Sequence, residues 1–185
     1  MRGIRLGLVS VVSLMAACGK WDSQVVQAGQ LEARWTGADS GKIYAPAAAE
    51  WCADRLLLEI RAIQGDTGLA LALYAVDSIA ADSYRVVEPT RGDSAPPSAR
   101  VALRLFAPTA IKGYQGDSGK VILERSRSGQ LSGNLAARAR SVSNGEQIRL
   151  SGRFEGVAVM PQERGCASGP PDTTEDAGQL HEQVD

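Results

Sequence analysis

The stretch LSGNLAARARSVSNGEQIRLSGRF, residues 131–154, decides the fold class. In two runs, 131–139 and 148–154, every second residue is apolar or glycine, and most of the residues between them are polar. Such alternation is typical of half-buried β-strands, because successive side chains of a strand point to opposite faces of the sheet. Asn144-Gly145 separates the two runs, and this dipeptide is a common turn of tight hairpins. The stretch therefore predicts an antiparallel β-hairpin.

The same alternation recurs along the chain, at 31–36, 69–74, 101–106 and 121–124, with turn signals at 65–68 and 116–119. It predicts one all-β domain of about seven to nine antiparallel strands, either a β-sandwich or a partly closed β-barrel. The sandwich is preferred, because no run is long enough to line a wide lumen. Residues 46–63 are ambiguous between helix and strand: alternation favours a strand at 56–63, and the alanine-rich segment 47–53 also suits a helical turn.

The composition excludes several classes of protein. The chain has 185 residues, of which 44% are hydrophobic, so it is too apolar to be wholly disordered. Its 20 Lys+Arg against 21 Asp+Glu give no bulk positive charge for binding nucleic acid, and we expect no such partner.

The N-terminus has the features of an export signal. Arg2 and Arg5 precede an apolar stretch, 6–14, which as a helix of about 14 Å is too short to span the ~30 Å core of a membrane. Leu14-Met15-Ala16-Ala17-Cys18 then resembles the lipobox of bacterial lipoproteins. That resemblance, confined to residues 1–18, implies cleavage before Cys18 and acylation of that residue with diacylglyceryl and palmitate chains. An ordinary signal peptide is the alternative.

The resemblance also predicts a location and a domain plan. Gly19, rather than Asp, follows the cysteine, which implies a lipid anchor in the outer membrane, facing the periplasm or the surface. The plan is a signal peptide at 1–17, a lipid-anchored tether at 18–29, a β-domain at 30–166 and a disordered acidic tail at 167–185. Residues 172–185 contain five acids and no Lys or Arg.

Three cysteines remain to be assigned: Cys18, Cys52 and Cys166. If Cys18 carries lipid, the even remainder predicts a Cys52–Cys166 disulfide in an oxidising compartment, and two buried thiols are the alternative. We expect no metal site, because the cysteines are far apart and the single histidine, His181, lies in the tail.

A cationic stripe is the first candidate binding surface. Strand periodicity places Arg138, Arg140, Arg149 and Arg153 on one face of the hairpin, beside Arg125 and Arg127. Such a face suits an acidic partner, a glycan, lipid head groups or the protein's own acidic tail; a merely solvated sheet face is the alternative. Tyr114, expected on an exposed loop, is the candidate aromatic contact.

Catalysis is not expected. Gly116-Asp117-Ser118-Gly119 resembles the segment around the nucleophile of trypsin-like serine proteases, but the chain offers no histidine suited to act as the base. We therefore predict a non-catalytic cell-envelope lipoprotein without cofactors, a binding or accessory module for a protein or glycan partner. The alternatives are a β-barrel carrier of a small apolar ligand and, less favoured, a hydrolase using Glu50, Glu59 or Glu124.

Overall fold

The computed structural model describes residues 29–88, 95–107, 109–125 and 129–161. Within these ranges the chain forms ten β-strands and one turn of 3-10 helix, Ala53–Arg55. The strands are β1 Gly29–Gly37, β2 Gly41–Cys52, β3 Leu57–Gln64, β4 Thr67–Tyr74, β5 Asp82–Val86, β6 Ser98–Ala107, β7 Ala110–Arg125, β8 Leu131–Ser141, β9 Gln147–Val157 and β10 Val159–Pro161. The fold is all-β, as predicted, and the 131–154 hairpin is confirmed as β8 and β9.

The strands close into a single mixed β-barrel. β1 pairs antiparallel with both β2 and β9, and this double pairing joins the first and last long strands of a meander. β5 inserts between β6 and β7 as a ninth strand, and the short β10 extends the sheet beside β2. The preference for a sandwich is therefore wrong. The expectation of purely antiparallel pairing is also wrong, because β5–β6 and β10–β2 are parallel.

Two predicted turn signals have different outcomes. Gly65-Asp66 makes the two-residue turn between β3 and β4, where Gln64 pairs with Thr67. The segment Gly116-Asp117-Ser118-Gly119 lies instead inside β7, where the register with β8 shifts between Gly116 and Ser118. This is a β-bulge, a device that inserts an extra residue and bends the strand. Residues typical of a turn thus form a bulge that bends β7 in the barrel wall.

The ambiguous segment is mostly strand. β2 extends to Cys52 and β3 starts at Leu57, so the strand predicted at 56–63 is confirmed. The helical turn expected at 47–53 is wrong, because residues 47–52 belong to β2 and the 3-10 turn Ala53–Arg55 begins after that strand. Cross-strand pairing overrides the helix propensity of the alanine-rich segment.

The barrel interior is packed with side chains. Tyr84, Tyr114 and Phe154 are its largest fully buried residues, and alanines line much of the wall in β1–β3. Gly133 makes room for an aromatic ring, since a Cβ there would lie 2.5 Å from Cζ of Phe154. Closed sheets of about eight strands enclose a space that side chains just fill, as they do here.

The antiparallel meander gives the barrel two distinct ends. The connections β1–β2, β3–β4, β6–β7 and β8–β9 share one end, which we call the hairpin end. Gly29 and the β2–β3 connection lie at the opposite end. β10 runs parallel to β2, with Pro161 beside Trp51, so the described chain ends near this opposite end.

Candidate functional site

One row of side chains crosses five strands on the outer wall. Lys120 of β7 lies opposite Ala136 of β8, which lies opposite Ser151 of β9. Ser151 in turn lies opposite Arg34 of β1, and Arg34 opposite Lys42 of β2. The row therefore has cations at both sides and two small residues at its centre.

A second row adds two guanidinium groups. Arg138 of β8 lies directly opposite Arg149 of β9, one outward-facing position closer to the hairpin end. Thr36 of β1 continues the row beside Arg149. We call Arg34, Lys42, Lys120, Arg138 and Arg149 the basic face; all five are exposed.

Two shallow depressions adjoin the basic face. One lies beside Arg34, Lys42 and Ser151, and Glu32 and Arg153 also line it. The other lies beside Arg138, Arg149 and Ala136. Arg34 Nε lies 3.4 Å from Ser151 Oγ. Because neighbouring strands are about 4.8 Å apart, the span from β7 to β1 is about 14 Å, wide enough for several anionic groups.

The five cations of the basic face make no ion pair within the described part of the chain. Their arginine neighbours do. Arg140 Nη2 lies 3.5 Å from Asp117 Oδ2, and Arg153 Nη2 lies 3.3 Å from Glu32 Oε2. The nearby acids on this wall are thus already engaged by Arg140 and Arg153.

The structure places Arg138, Arg140, Arg149 and Arg153 exposed on the outer wall of β8 and β9, and their role in binding stays a prediction. Among the described residues, Arg140 and Arg153 have acidic partners and the other two have none. Arg125 is exposed at the end of β7, and Arg127 lies outside the described residues.

The prediction for Tyr114 is wrong. This residue lies in β7, not on a loop, and only 2% of its surface is exposed. Its side chain points into the barrel, and its hydroxyl donates a hydrogen bond to the carboxylate of Asp39 in the β1–β2 connection. Its place on the inward side of β7 excludes it from the outer surface.

A second charged group, the Asp39 cluster, consists of Asp39, Lys112 and Tyr114 at the hairpin end. Lys112 Nζ donates to both carboxylate oxygens of Asp39, at 3.0 and 3.1 Å. The hydrogen bond from Tyr114 and then that from Lys112 hold the pKa of Asp39 below its ordinary value. Burial, followed by the contact with Asp39, raises the pKa of Tyr114 to about 12.

The structure describes one of the three cysteines, Cys52. Cys52 ends β2 and is 3% exposed. Cys18 and Cys166 lie outside the described residues, as do the predicted signal peptide, the predicted acidic tail and residues 18–28 of the predicted tether. Gly29, which was assigned to the tether, is the first residue of β1. The disulfide and the anchor stay predictions.

Neither a metal cluster among the described residues nor similarity to a known protein points to a function. Among the described residues, no His, Cys, Asp and Glu side chains cluster as a metal site, and no helix has the length and apolarity to cross a membrane. No family model matches the chain, and no curated protein or solved structure matches it significantly.

Sequence reasoning missed three of the five cations: Arg34, Lys42 and Lys120. Arg34 alternates with Trp35, so the sequence predicts that Arg34 points outward. The sequence does not predict its contact with Ser151, because that contact requires β1 to pair with β9 across 117 residues. Closure of the barrel creates this part of the site.

Proposed function

We propose that this protein is a non-catalytic binding or accessory module of the bacterial cell envelope, and that its basic face binds an anionic protein or glycan partner. The observation that carries the proposal is the contiguous set of five exposed cations without an acidic partner in the described chain. A surface of one sign attracts ligands of the opposite sign and raises their rate of association.

The energetics of the pair Arg138 and Arg149 support this proposal. The two residues are directly opposite each other on neighbouring antiparallel strands. Like charges in that position destabilise a sheet, and no carboxylate among the described residues offsets the repulsion. Binding of one anionic ligand by both guanidinium groups would explain this unfavourable pair. A guanidinium group binds carboxylate, sulfate or phosphate through two hydrogen bonds.

Anchoring through an acylated Cys18 is part of the proposal and rests on the lipobox-like residues. We propose that it holds the domain at the outer membrane. Cys18→Ser should move the protein from the membrane fraction to the soluble fraction after cell lysis. Retention of this variant in the membrane fraction would contradict the lipid anchor.

A Cys52–Cys166 disulfide is supported by the path of β10. The pairing of Pro161 with Trp51 brings the chain alongside the residue that precedes Cys52, and four residues then separate Pro161 from Cys166. That segment is long enough for the two cysteines to meet. Peptide mapping without reduction should recover a Cys52–Cys166 peptide pair; alkylation of both thiols in the native protein would contradict it.

A closed barrel also supports a second proposal, a carrier of a small apolar ligand. Tyr84, Tyr114 and Phe154 occupy the described interior, so a ligand would have to displace them. A fluorescent apolar probe should bind in a saturable way if the protein is a carrier, and its failure to bind would remove this alternative.

The main proposal is tested by affinity for dextran sulfate, with neutral dextran and poly-glutamate as comparison ligands. The double variant Arg138→Glu/Arg149→Glu should weaken binding at least about 100-fold, because each charged hydrogen-bonding contact contributes about 1.5–3 kcal/mol. The control, Arg55→Glu/Arg104→Glu, changes the net charge equally at sites outside the basic face and should retain most of the affinity.

Binding should also weaken steeply between 50 and 500 mM NaCl, because the Debye screening length is about 10 Å at 0.1 M salt and becomes shorter as the salt concentration rises. Preference for poly-glutamate over dextran sulfate would indicate an acidic protein partner, and the reverse an acidic glycan. Equal losses in the two double variants would show that bulk charge, not the basic face, determines binding.

A further inference from the structure

The last described strand, β10, pairs with β2, the strand that carries Lys42 of the basic face, and the sequence after β10 has the complementary charge. Residues 172–185 contribute Asp172, Glu175, Asp176, Glu182 and Asp185 without any Lys or Arg. The basic face has five cations that no described acid neutralises. We propose that the acidic segment 172–185 docks on the basic face and competes there with the external anionic ligand; this inference rests on the proposed function.

The chain is long enough for this contact. Lys42 lies nine residues before Trp51 on β2, so the basic face begins about 30 Å from the end of β10 along the barrel wall. Two further strand spacings to Ser151 bring the direct distance to about 32 Å. The 14 residues from Pro161 to Glu175 reach up to about 46 Å when extended.

A disulfide at Cys166 would not prevent the contact. If Cys166 were joined to Cys52, the basic face would lie about 35 Å away along the wall. Glu182 follows Cys166 by sixteen positions, a length of chain that reaches up to about 53 Å when extended. Glu182 and Asp185 would then reach the two depressions beside Ser151 and Ala136.

Attachment to the same chain makes a weak contact effective. A tethered segment has an effective concentration near the millimolar range, so modest ion pairs suffice to occupy the site for much of the time. A ligand with more anionic groups, or with rigidly spaced ones, would still displace the segment. The segment would therefore set a threshold that admits highly charged ligands and excludes weakly charged ones.

The experiment compares the full chain with a variant of equal length in which the five acids are neutralised, D172N/E175Q/D176N/E182Q/D185N. Without ligand, neutralisation should shift the backbone amide resonances of Arg34, Arg138 and Arg149, and leave those of β3 and β4 in place. Dissociation constants for dextran sulfate should fall about 5- to 10-fold at 50 mM NaCl, with the gain lost at 500 mM.

Combining the neutralised segment with each arginine double variant distinguishes docking of the segment from an effect of net charge. The gain in affinity should disappear in Arg138→Glu/Arg149→Glu and persist in Arg55→Glu/Arg104→Glu. Unchanged amide resonances on the basic face would overturn docking of the segment, whatever the ligand does. Shifted resonances together with no affinity for dextran sulfate or poly-glutamate in either chain would support docking and refute the proposed function instead.

Discussion

Two groups of charged side chains on this barrel differ in how many hydrogen bonds and ion pairs they make with neighbouring residues. In the Asp39 cluster, one carboxylate accepts hydrogen bonds from Tyr114 and Lys112. On the basic face, Arg138 and Arg149 stand opposite each other with no described carboxylate in reach. The first arrangement ties the β1–β2 connection to β7; the second leaves charge available to the solvent.

The fold thus uses the charges of the Asp39 cluster for stability and leaves those of the basic face available for binding. Hydrogen bonds to a charged group contribute to stability when both partners are in place. Exposed cations without a partner contribute little to stability, and opposed ones reduce it slightly. Substitutions in the two groups should therefore change different measurements.

The largest effect on stability is expected in the Asp39 cluster. Asp39→Ala leaves the buried Tyr114 hydroxyl and the Lys112 ammonium group without their acceptor, and should lower the free energy of unfolding by about 1–3 kcal/mol. Arg138→Ala and the exposed control Asp54→Ala should stay within about 0.5 kcal/mol of the parent. Urea denaturation measures all three, and an equal loss in Arg138→Ala would erase the distinction between the two groups.

The pH dependence of stability should reflect the same cluster. The pKa of Asp39 is lowered in the folded state, so its contribution is present above about pH 4 and is lost as the pH falls through the folded value. The pKa of Tyr114 is raised to about 12, so stability is complete below about pH 10 and declines between 10 and 12, where only the unfolded chain loses the proton.

Denaturation curves between pH 3 and 12 measure both limits. Tyr114→Phe should flatten the alkaline decline in part, because burial also raises the pKa of Tyr84 and its contribution remains. An alkaline limb of unchanged steepness in that variant would contradict the role assigned to Tyr114.

The smallest effect should come from releasing the paired arginines beside the basic face. Asp117→Asn and Glu32→Gln remove the acids that face Arg140 and Arg153, and each should strengthen binding of dextran sulfate about two- to fivefold. Glu59→Gln is the matched control, because it releases Arg61 on β3, away from the basic face. A similar gain in the control would mean that net charge alone governs affinity.

Much of the fold was predictable from local patterns. The alternation in 131–154 and the Asn144-Gly145 turn determine β8 and β9, because a period of two and a left-handed turn residue act within a few positions. Closure was not predictable, because β1 and β9 meet across more than a hundred residues. The bulge at Asp117 was also missed, since Gly and Asp favour bulges and turns alike.

The residues of the candidate site likewise fall into those that local spacing predicts and those that depend on closure of the barrel. Arg138 and Arg149 are neighbours within one hairpin, so their shared face could be derived from spacing. Arg34 and Lys42 join them only after closure. Tyr114 was misplaced for a related reason: the bulge that follows it was interpreted as a turn, which put an inward-facing strand residue on a loop.

The central claim, that the outer wall from β7 to β2 is a binding site for anions, is tested most directly by nuclear magnetic resonance. Short dextran sulfate oligomers are titrated into the isotopically labelled full chain at 50 mM NaCl. Binding at the basic face should produce saturable shifts of the amide and guanidinium signals of Arg34, Arg138 and Arg149, and none on β3 and β4. Shifts centred on the exposed Phe106 and Ile111 at the hairpin end, or no saturable shift at any concentration, would contradict it.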